Sequence, residues 1–273
     1  MPTDRRLRGL TGRGAASSVP AVPTPDELRI EPAPEILEQA RRWLEPVRAA
    51  LGPEFVSACL TGSVLTQGFD PRHSRINMLI VSHTLEVDRL EALGATLEAA
   101  PDGRPGIDPM FVSRPQIEHS IDVFPIEWLD IQERHFCLEG EDLFPTLVIP
   151  SQALRLQCEH ELRGKHLRLR QAYVLSHGRP DQLAGTLRST ASGLAAVFRT
   201  LLRLRGETPP ADARRVIEQL ADLYQLEASA LLGPHRLRYS HRKPKRDEIQ
   251  ALYREFLVEL DRLIAAVDQL HFA

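Results

Sequence analysis

Two apolar runs of strand length, Phe55–Leu60 and Ile76–Val81, flank a Gly62-Ser63 pair. Eleven residues separate this pair from Arg75, which immediately precedes the second run. Glycine lets a ligand approach the backbone closely, and a helix that begins at such a turn offers unpaired N–H groups to a phosphate. The arrangement therefore predicts a strand, a phosphate-binding turn at the start of a helix, and a second strand.

Polar residues stand at the start of the second run. Arg75 and Asn77 are two residues apart, so on an extended strand their side chains point to the same face. An arginine fork can bind two phosphate oxygens at once. The predicted phosphate-binding residues are four residues of the turn and the start of the second strand: Gly62, Ser63, Ser74 and Arg75.

Further short segments before residue 150 complete a mixed pattern of helices and strands. Helical spacing of apolar residues predicts helices over Pro34–Leu51 and Leu85–Leu97, with a short helix near Pro115. Met110–Val112 and Val123–Leu129 are strand-length runs bounded by turn residues. An α/β (α+β) domain with a mixed sheet is the predicted fold of this part.

Beyond residue 150 the apolar spacing is helical throughout. The predicted helices start near Leu154, Leu183, Ala213, Leu226 and Asp247. Residues 1–30 lack apolar periodicity and are rich in small and polar residues, which predicts a disordered tail. We thus predict a tail over 1–30, the α/β domain over 31–150 and a C-terminal helical bundle over 151–273.

The order of these motifs resembles that of the DNA polymerase β-like nucleotidyltransferases. In that superfamily a strand leads into Gly-Ser and a helix, and Asp-x-Asp follows on the next strand. The resemblance is closer to a group of uncharacterised bacterial nucleotidyltransferase-domain proteins and extends over residues 35–205. Besides Gly62-Ser63, the shared traits are four segments: Phe69-Asp70-Pro71, Asp122–Asp130, Gly140-Glu141-Asp142 and Leu154–Glu159.

The resemblance implies a metal-dependent site that this sequence does not reproduce. In the family the two aspartates hold Mg²⁺ against the nucleotide phosphates, and a third carboxylate activates the acceptor. Arg75 and Asn77 occupy the positions of the two aspartates. A guanidinium about 4 Å from Mg²⁺ would be repelled by about 8 kcal/mol at an effective dielectric near 20. Glu127 is the candidate catalytic carboxylate, and Asn77 with Glu127 are the candidate magnesium ligands.

We therefore expect a degenerate nucleotidyltransferase-fold protein that binds a nucleotide or a protein partner with little or no transfer activity. The alternative is an active enzyme that moves a nucleoside monophosphate from an NTP to a small-molecule or protein acceptor. The expected ligand is an NTP, with Mg²⁺ as a possible cofactor.

Charge and composition argue against several other classes of protein. The formal net charge of -3 gives no global attraction to nucleic acid or to a membrane surface, and no apolar run reaches the roughly 20 residues that span a bilayer. The three cysteines are far apart in sequence and form no C-x-x-C pair, which argues against a disulfide framework or a zinc knuckle. We expect a cytoplasmic protein without membrane or nucleic-acid partners.

Two basic segments allow alternative interpretations. The predicted helix over 155–170 could present a basic face to a triphosphate, or its cations could be balanced by Glu159 and Glu161 at the surface. Arg155 and His160 also match the short Arg-x₄₋₆-His pattern of HEPN ribonucleases, although helix-surface residues explain them more simply. The run 236–246 could contact a nucleic acid, with Tyr239 stacking on a base, or form a basic surface loop.

Overall fold

The computed structural model describes residues 31–66, 69–98, 106–240 and 242–272. Its strands are β1 (Phe55–Thr61), β2 (Ile76–Ser82), β3 (Ile107–Ser113) and β4 (His135–Gly140). They form a four-stranded sheet in the order β3-β2-β1-β4. β1 is antiparallel to β2 and β4, whereas β2 and β3 are parallel. The predicted mixed sheet is confirmed.

Two helices, α1 (Pro34–Leu51) and α2 (Val87–Glu98), lie on one face of the sheet. α1 begins at a proline, whose fixed φ suits the first helical position, and it ends at Gly52, which has a φ of 55°. Its buried residues recur at intervals of three and four and pack against alternate residues of β1 and β2. Every second strand residue therefore belongs to this core.

The opposite face of the sheet carries α3 (Arg114–Glu118), α4 (Pro125–Glu133) and α5 (Ser151–Leu175). A single hydrophobic core extends from this face through α4 and into the remaining helices. It therefore includes residues on both sides of position 150: Cys59, Leu79, Val81, Ile126, Leu129, Leu154, Cys158 and Leu162 among others. We use "shared core" for this cluster.

The remaining helices of the described chain are α6 (Pro180–Ser192), α7 (Ala195–Leu204), α8 (Ala213–Tyr224), α9 (Ala228–Tyr239) and α10 (Arg246–Asp268). One helix was predicted from Leu183 to Gly206, but the structure divides it at Gly193. A Cβ at Gly193 would lie 2.9 Å from Lys165 Cε. The break thus occurs where the end of the Lys165 side chain of α5 packs over Gly193.

The run Val123–Leu129 was wrongly predicted as a strand. It contributes to α4, which begins at Pro125, and the strand that follows is β4, which the sequence did not indicate. Proline is favoured at the first helical position because its missing N–H needs no partner there. The buried residues Ile126 and Leu129 lie three apart and face the shared core, while Glu127 is exposed.

The third strand is longer than Met110–Val112, since β3 begins at Ile107 and includes Pro109. Ile76 N–H donates to the Gly106 carbonyl, and in a parallel ladder this directs the backbone groups of Asp108 toward β2 and those of Pro109 outward. β3 is at the sheet edge, where a residue without an N–H is tolerated.

The predicted disordered tail over 1–30 lies outside the described residues. Within the described residues, none of the helices combines the length and the apolar character needed to cross a membrane.

Candidate functional site

Four polar residues form one row across the sheet. Asp108 on β3 is the register partner of Asn77 on β2, Asn77 is the partner of Thr61 on β1, and Thr61 is the partner of His135 on β4. Each of the four has at least one strand neighbour in the core under α1 and α2, so all four side chains point to the opposite face. We call these four residues the polar row.

The Gly-Ser turn adjoins this row at Thr61, one of its two inner members. Gly62 directly follows Thr61, has a φ of 74° and opens a one-turn 3₁₀ helix, Gly62–Leu65. The helix predicted after Gly-Ser is therefore only one turn long. A Cβ at Gly62 would lie 2.9 Å from Asn77 Nδ2, so the turn and the polar row are in direct contact.

Arg75 lies against the start of β3. Its Nη2 donates to the Ile107 carbonyl at 2.5 Å, and its Nε lies 3.9 Å from Asp108 Oδ1. The guanidinium also covers Gly106, where a Cβ would be only 3.3 Å from Arg75 Nη1. Both side chains of the ion pair are open to solvent, with exposed fractions of 61% and 65%. Such an exposed, long ion pair contributes little energy, so the Arg75 side chain can turn toward another anion.

Ser74 closes the loop that precedes β2. Its Oγ accepts a hydrogen bond from Asp70 N–H at 3.3 Å, and its own N–H donates to the Asp70 carbonyl at 2.7 Å. The hydrogen bond with His73 and a second from the Arg72 N–H lower the pKa of the Asp70 carboxyl. Because the Ser74 hydroxyl is an acceptor in this loop, its hydrogen can still be donated to a ligand.

Glu127 does not lie on a strand next to Asn77. It is on α4, where its Oε2 accepts a hydrogen bond from Gln157 Nε2 at 2.8 Å. It lines a cavity of about 740 Å³ between β3, α3 and α4, together with Met110, Phe124 and Trp128. The cavity is on the same face of the sheet as the polar row, because Met110 lies two residues beyond Asp108 on β3.

Asp108 is the carboxylate that the sequence analysis missed. It stands directly beside Asn77 on the neighbouring strand, which is the relationship expected of a third carboxylate on a later strand. Two observations in the sequence point to it: an acidic residue two positions before Met110, and a hydrophobic residue, Ile107, before that. The intervening Pro109 conceals the strand, since proline is rare in strands other than those at an edge.

The fourth member of the polar row, His135, is almost fully buried, with an exposed fraction of 4%. Its Nδ1 lies 2.8 Å from the Ile131 carbonyl and its Nε2 lies 2.9 Å from Asp142 Oδ1. Its ring also packs edge-on against Phe144. The Gly140-Glu141-Asp142 segment therefore holds the end of the row in place through its aspartate.

These side chains do not fit Mg²⁺. The ion takes hard oxygen ligands in near-octahedral geometry, whereas Asp108 is the one carboxylate of the polar row and Arg75 places a guanidinium beside it. Among the residues that the structure describes, no group of three or more His, Cys, Asp or Glu side chains is arranged to hold a metal ion. Within that part of the chain, no hydrogen bond joins Asn77 to Glu127, the predicted pair of magnesium ligands.

The basic face of α5 is largely neutralised by acids on the same helix. Glu159 receives hydrogen bonds from Arg155 and Arg163, and Glu161 receives one from Lys165. These hydrogen bonds lower the pKa of both carboxyls. In the second basic segment, Arg242 pairs with Glu248 and Lys243 with Asp181. These ion pairs neutralise part of the positive charge of both segments, and Arg155 is buried rather than on the helix surface.

Replacement of Gly62 by alanine tests the turn. Alanine at positive φ costs about 1–2 kcal/mol, and its Cβ would press against the Asn77 amide. We expect Gly62→Ala to lower the free energy of unfolding by about that amount, measured by urea titration. Gly94→Ala is the matched control, because Gly94 lies within α2 and a Cβ there meets no atom within 4 Å. Equal stability of both variants would contradict a constrained turn.

Comparison with known proteins identifies the fold. No protein-family model and no curated protein sequence matches the chain. The structure is similar to that of spectinomycin adenyltransferase AAD(9) from Enterococcus faecialis with ATP and spectinomycin, with a TM-score of 0.50 and 13% sequence identity over 82% of this chain and 98% of that chain. A nucleotidyltransferase-like protein from Exiguobacterium sibiricum 255-15 matches with a TM-score of 0.39 and 14% identity over 85% of this chain and 75% of that chain. The predicted nucleotidyltransferase-like fold, an α/β part followed by helices, is confirmed.

Proposed function

Given this nucleotidyltransferase fold, we propose that the protein binds a nucleoside triphosphate at the Gly62-Ser63 turn without a divalent metal and transfers little or nothing from it. The observation that carries the proposal is the contact of Arg75 with both Ile107 and Asp108. In this proposal the guanidinium supplies the positive charge that Mg²⁺ brings in the family, and it already lies beside the Asp108 carboxylate.

Two kinds of donor support phosphate binding here. The first N–H groups of a helix have no carbonyl acceptor within that helix. Those at the start of the Gly62–Leu65 turn are therefore available for an anion. A guanidinium carries five N–H donors, of which Arg75 uses one on the Ile107 carbonyl. Arg75 can therefore bind two phosphate oxygens while it keeps its anchor to β3.

The Asp108 carboxylate opposes this attraction. At 3.9 Å from Arg75 it cancels part of the positive charge that a triphosphate would meet. We expect a modest affinity, with a Kd on the order of 10 μM to 1 mM. A cytoplasmic location, where NTP is plentiful, fits an affinity of this order.

One observation favours the alternative of an active transferase. Met110, two residues beyond Asp108 on β3, lines the 740 Å³ cavity, so Asp108 lies on the same sheet face as a pocket of a size that suits an acceptor. The ion pair with Arg75 works against this role, because a base must reach the acceptor hydroxyl rather than a neighbouring cation. We therefore give the binding function precedence over catalysis.

Calorimetric titration with ATP and GTP, in EDTA and in Mg²⁺, tests the proposal. We expect one NTP to bind with equal affinity in both buffers and to be recovered intact. Binding that requires Mg²⁺ would overturn metal independence, and release of pyrophosphate in the presence of candidate acceptors would favour the transferase. Absence of binding by every NTP would leave the fold as a scaffold for a protein partner.

A further inference from the structure

Two of the three cysteines meet on neighbouring strands. Cys59 on β1 is the direct register partner of Cys137 on β4. Both side chains point to the face of the sheet that carries the polar row, since both pack with the shared core. They occupy the layer next to Thr61 and His135, two residues along each strand. The two thiols therefore face each other although 77 residues lie between them in the sequence.

The strand geometry suits a covalent bond between them. Directly opposed residues of an antiparallel pair have Cα atoms about 4.5 to 5.5 Å apart. A disulfide accepts Cα separations of about 4.4 to 6.8 Å. The register of β1 shifts between Ala58 and Cys59, and such an irregularity adds local twist that lets paired side chains adjust. The two ranges overlap, so the pairing of Cys59 with Cys137 is compatible with a disulfide.

The two thiols differ in access and in chemistry. Cys59 is fully buried and Cys137 is half-buried, and both are free thiols. Burial is the main cause that raises the pKa of the Cys59 thiol; a hydrogen bond with Ser57 opposes it, and contact with the Cys137 thiol adds to it. Cys137 is accordingly the thiol that a small oxidant meets first, and Cys59 lies behind it.

We propose that Cys59 and Cys137 form a reversible oxidative modification site, in which hydrogen peroxide converts the opposed thiols into a cross-strand disulfide. The Cys137 thiolate attacks one peroxide oxygen, which breaks the O–O bond, gives a sulfenic acid and releases hydroxide. The Cys59 sulfur then attacks the Cys137 sulfur, the S–O bond breaks, and the departing hydroxide takes the Cys59 proton to form water. Two thiols lose two electrons and two protons, and one peroxide becomes two waters.

A disulfide that is made and broken in this way is compatible with a reducing compartment, where lasting disulfides are rare and transient ones are usually regulatory. The product would tie β4, an edge strand, to β1 just before the Gly62-Ser63 turn. The bond closes a long loop, so it restricts the unfolded chain strongly and stabilises the folded state.

Mass spectrometry of the full-length protein tests this site. The reduced protein is freed of reductant, treated with hydrogen peroxide, and digested without reduction. We expect an intact mass lower by two hydrogen atoms, a cross-linked peptide pair containing Cys59 and Cys137, and full reversal by dithiothreitol. The oxidised protein should also melt at a temperature several degrees higher than the reduced protein.

Single serine variants supply the controls. Cys137→Ser and Cys59→Ser should each abolish the cross-link, whereas Cys158→Ser should retain it, because Cys158 is buried on α5 with its Sγ near the Val197 carbonyl. The wild-type peptide map stands even if a variant fails to fold. Recovery of Cys137 as sulfinic acid beside a free Cys59, or a disulfide between two chains through Cys137, would overturn the proposal.

Discussion

The double variant Arg75→Asp, Asn77→Asp is expected to bind Mg²⁺ at least roughly 100-fold more tightly than the wild type, a gain of about 2.8 kcal/mol. The change removes a guanidinium that opposes the cation by about 8 kcal/mol at an effective dielectric near 20, of which an exposed site retains only a part. It also places two carboxylates beside Asp108, the register partner of residue 77. Three converging carboxylates offer the hard oxygen ligands that Mg²⁺ prefers.

Calorimetric titration with magnesium chloride measures the gain. The triple variant that adds Asp108→Asn is the matched control and should lose most of it, because the third carboxylate is gone. The double variant should unfold more easily than the wild type when no metal is present, since like charges repel and the hydrogen bond to the Ile107 carbonyl is lost. Unchanged Mg²⁺ affinity in a well-folded double variant would exclude this strand pair as the metal-binding face of the fold.

Arg75→Ala is expected to weaken ATP binding in EDTA by about 10- to 150-fold. A charge-assisted hydrogen bond contributes about 1.5 to 3 kcal/mol, and this substitution removes the side-chain cation that lies 3.9 Å from Asp108. Arg72→Ala is the matched control, because it removes the same charge from the same loop. Arg72 supplies its backbone N–H to Asp70, which the substitution preserves.

The rival interpretation, in which Arg75 only plugs an abandoned site, predicts the opposite sign. In that case removal of Arg75 would open the turn, and ATP would bind equally well or better. Asp108→Asn also distinguishes the two interpretations. If Arg75 binds phosphate, the loss of the Asp108 carboxylate, which competes for Arg75, should strengthen ATP binding. If Arg72→Ala and Arg75→Ala weaken ATP binding to the same extent, Arg75 acts through its positive charge and not through direct contact with the phosphate.

The sequence predicted those parts of the fold in which local chemistry and tertiary packing agree. The α1 helix has its predicted bounds because Pro34 starts it, apolar residues recur at helical spacing and Gly52 ends it. The Gly62-Ser63 turn was predicted from the close backbone approach that glycine allows, and Gly62 has a positive φ of 74°. Asn77 lies on β2, whereas Arg75 immediately precedes this strand, so their predicted position on one face stays a prediction.

The wrong prediction of a strand around Glu127 came from an apolar run that is too short to show a helical or a strand periodicity. Seven consecutive residues, Val123–Leu129, contain five apolar side chains that suit a buried strand or a helix equally well. Pro125 decides between them, as it is unsuited to a strand interior and favoured at a helix start. The burial of Ile126, Trp128 and Leu129 around an exposed Glu127 follows from the packing of α4 on the shared core.

Asp108 was missed for a different reason. Its importance lies in its pairing with Asn77, and the register between two strands that are 24 residues apart along the chain is set by the whole sheet rather than by either segment. Pro109 also shortens the run of residues that looks extended. The outward direction of the Pro109 backbone, which permits it, follows only from its edge position.

The shared core limits how a ligand reaches the site. In a hinged two-domain protein the helices would swing away as a lid, but here Leu154, Cys158 and Leu162 of α5 are buried in the same cluster as Cys59 and Leu79 of the sheet. Prising the halves apart would uncover many such side chains at about 1.5–3 kcal/mol for each large one, against a total folding stability of about 5–15 kcal/mol. A ligand of the proposed site would therefore have to enter and leave from the solvent side while the helical half stays in place.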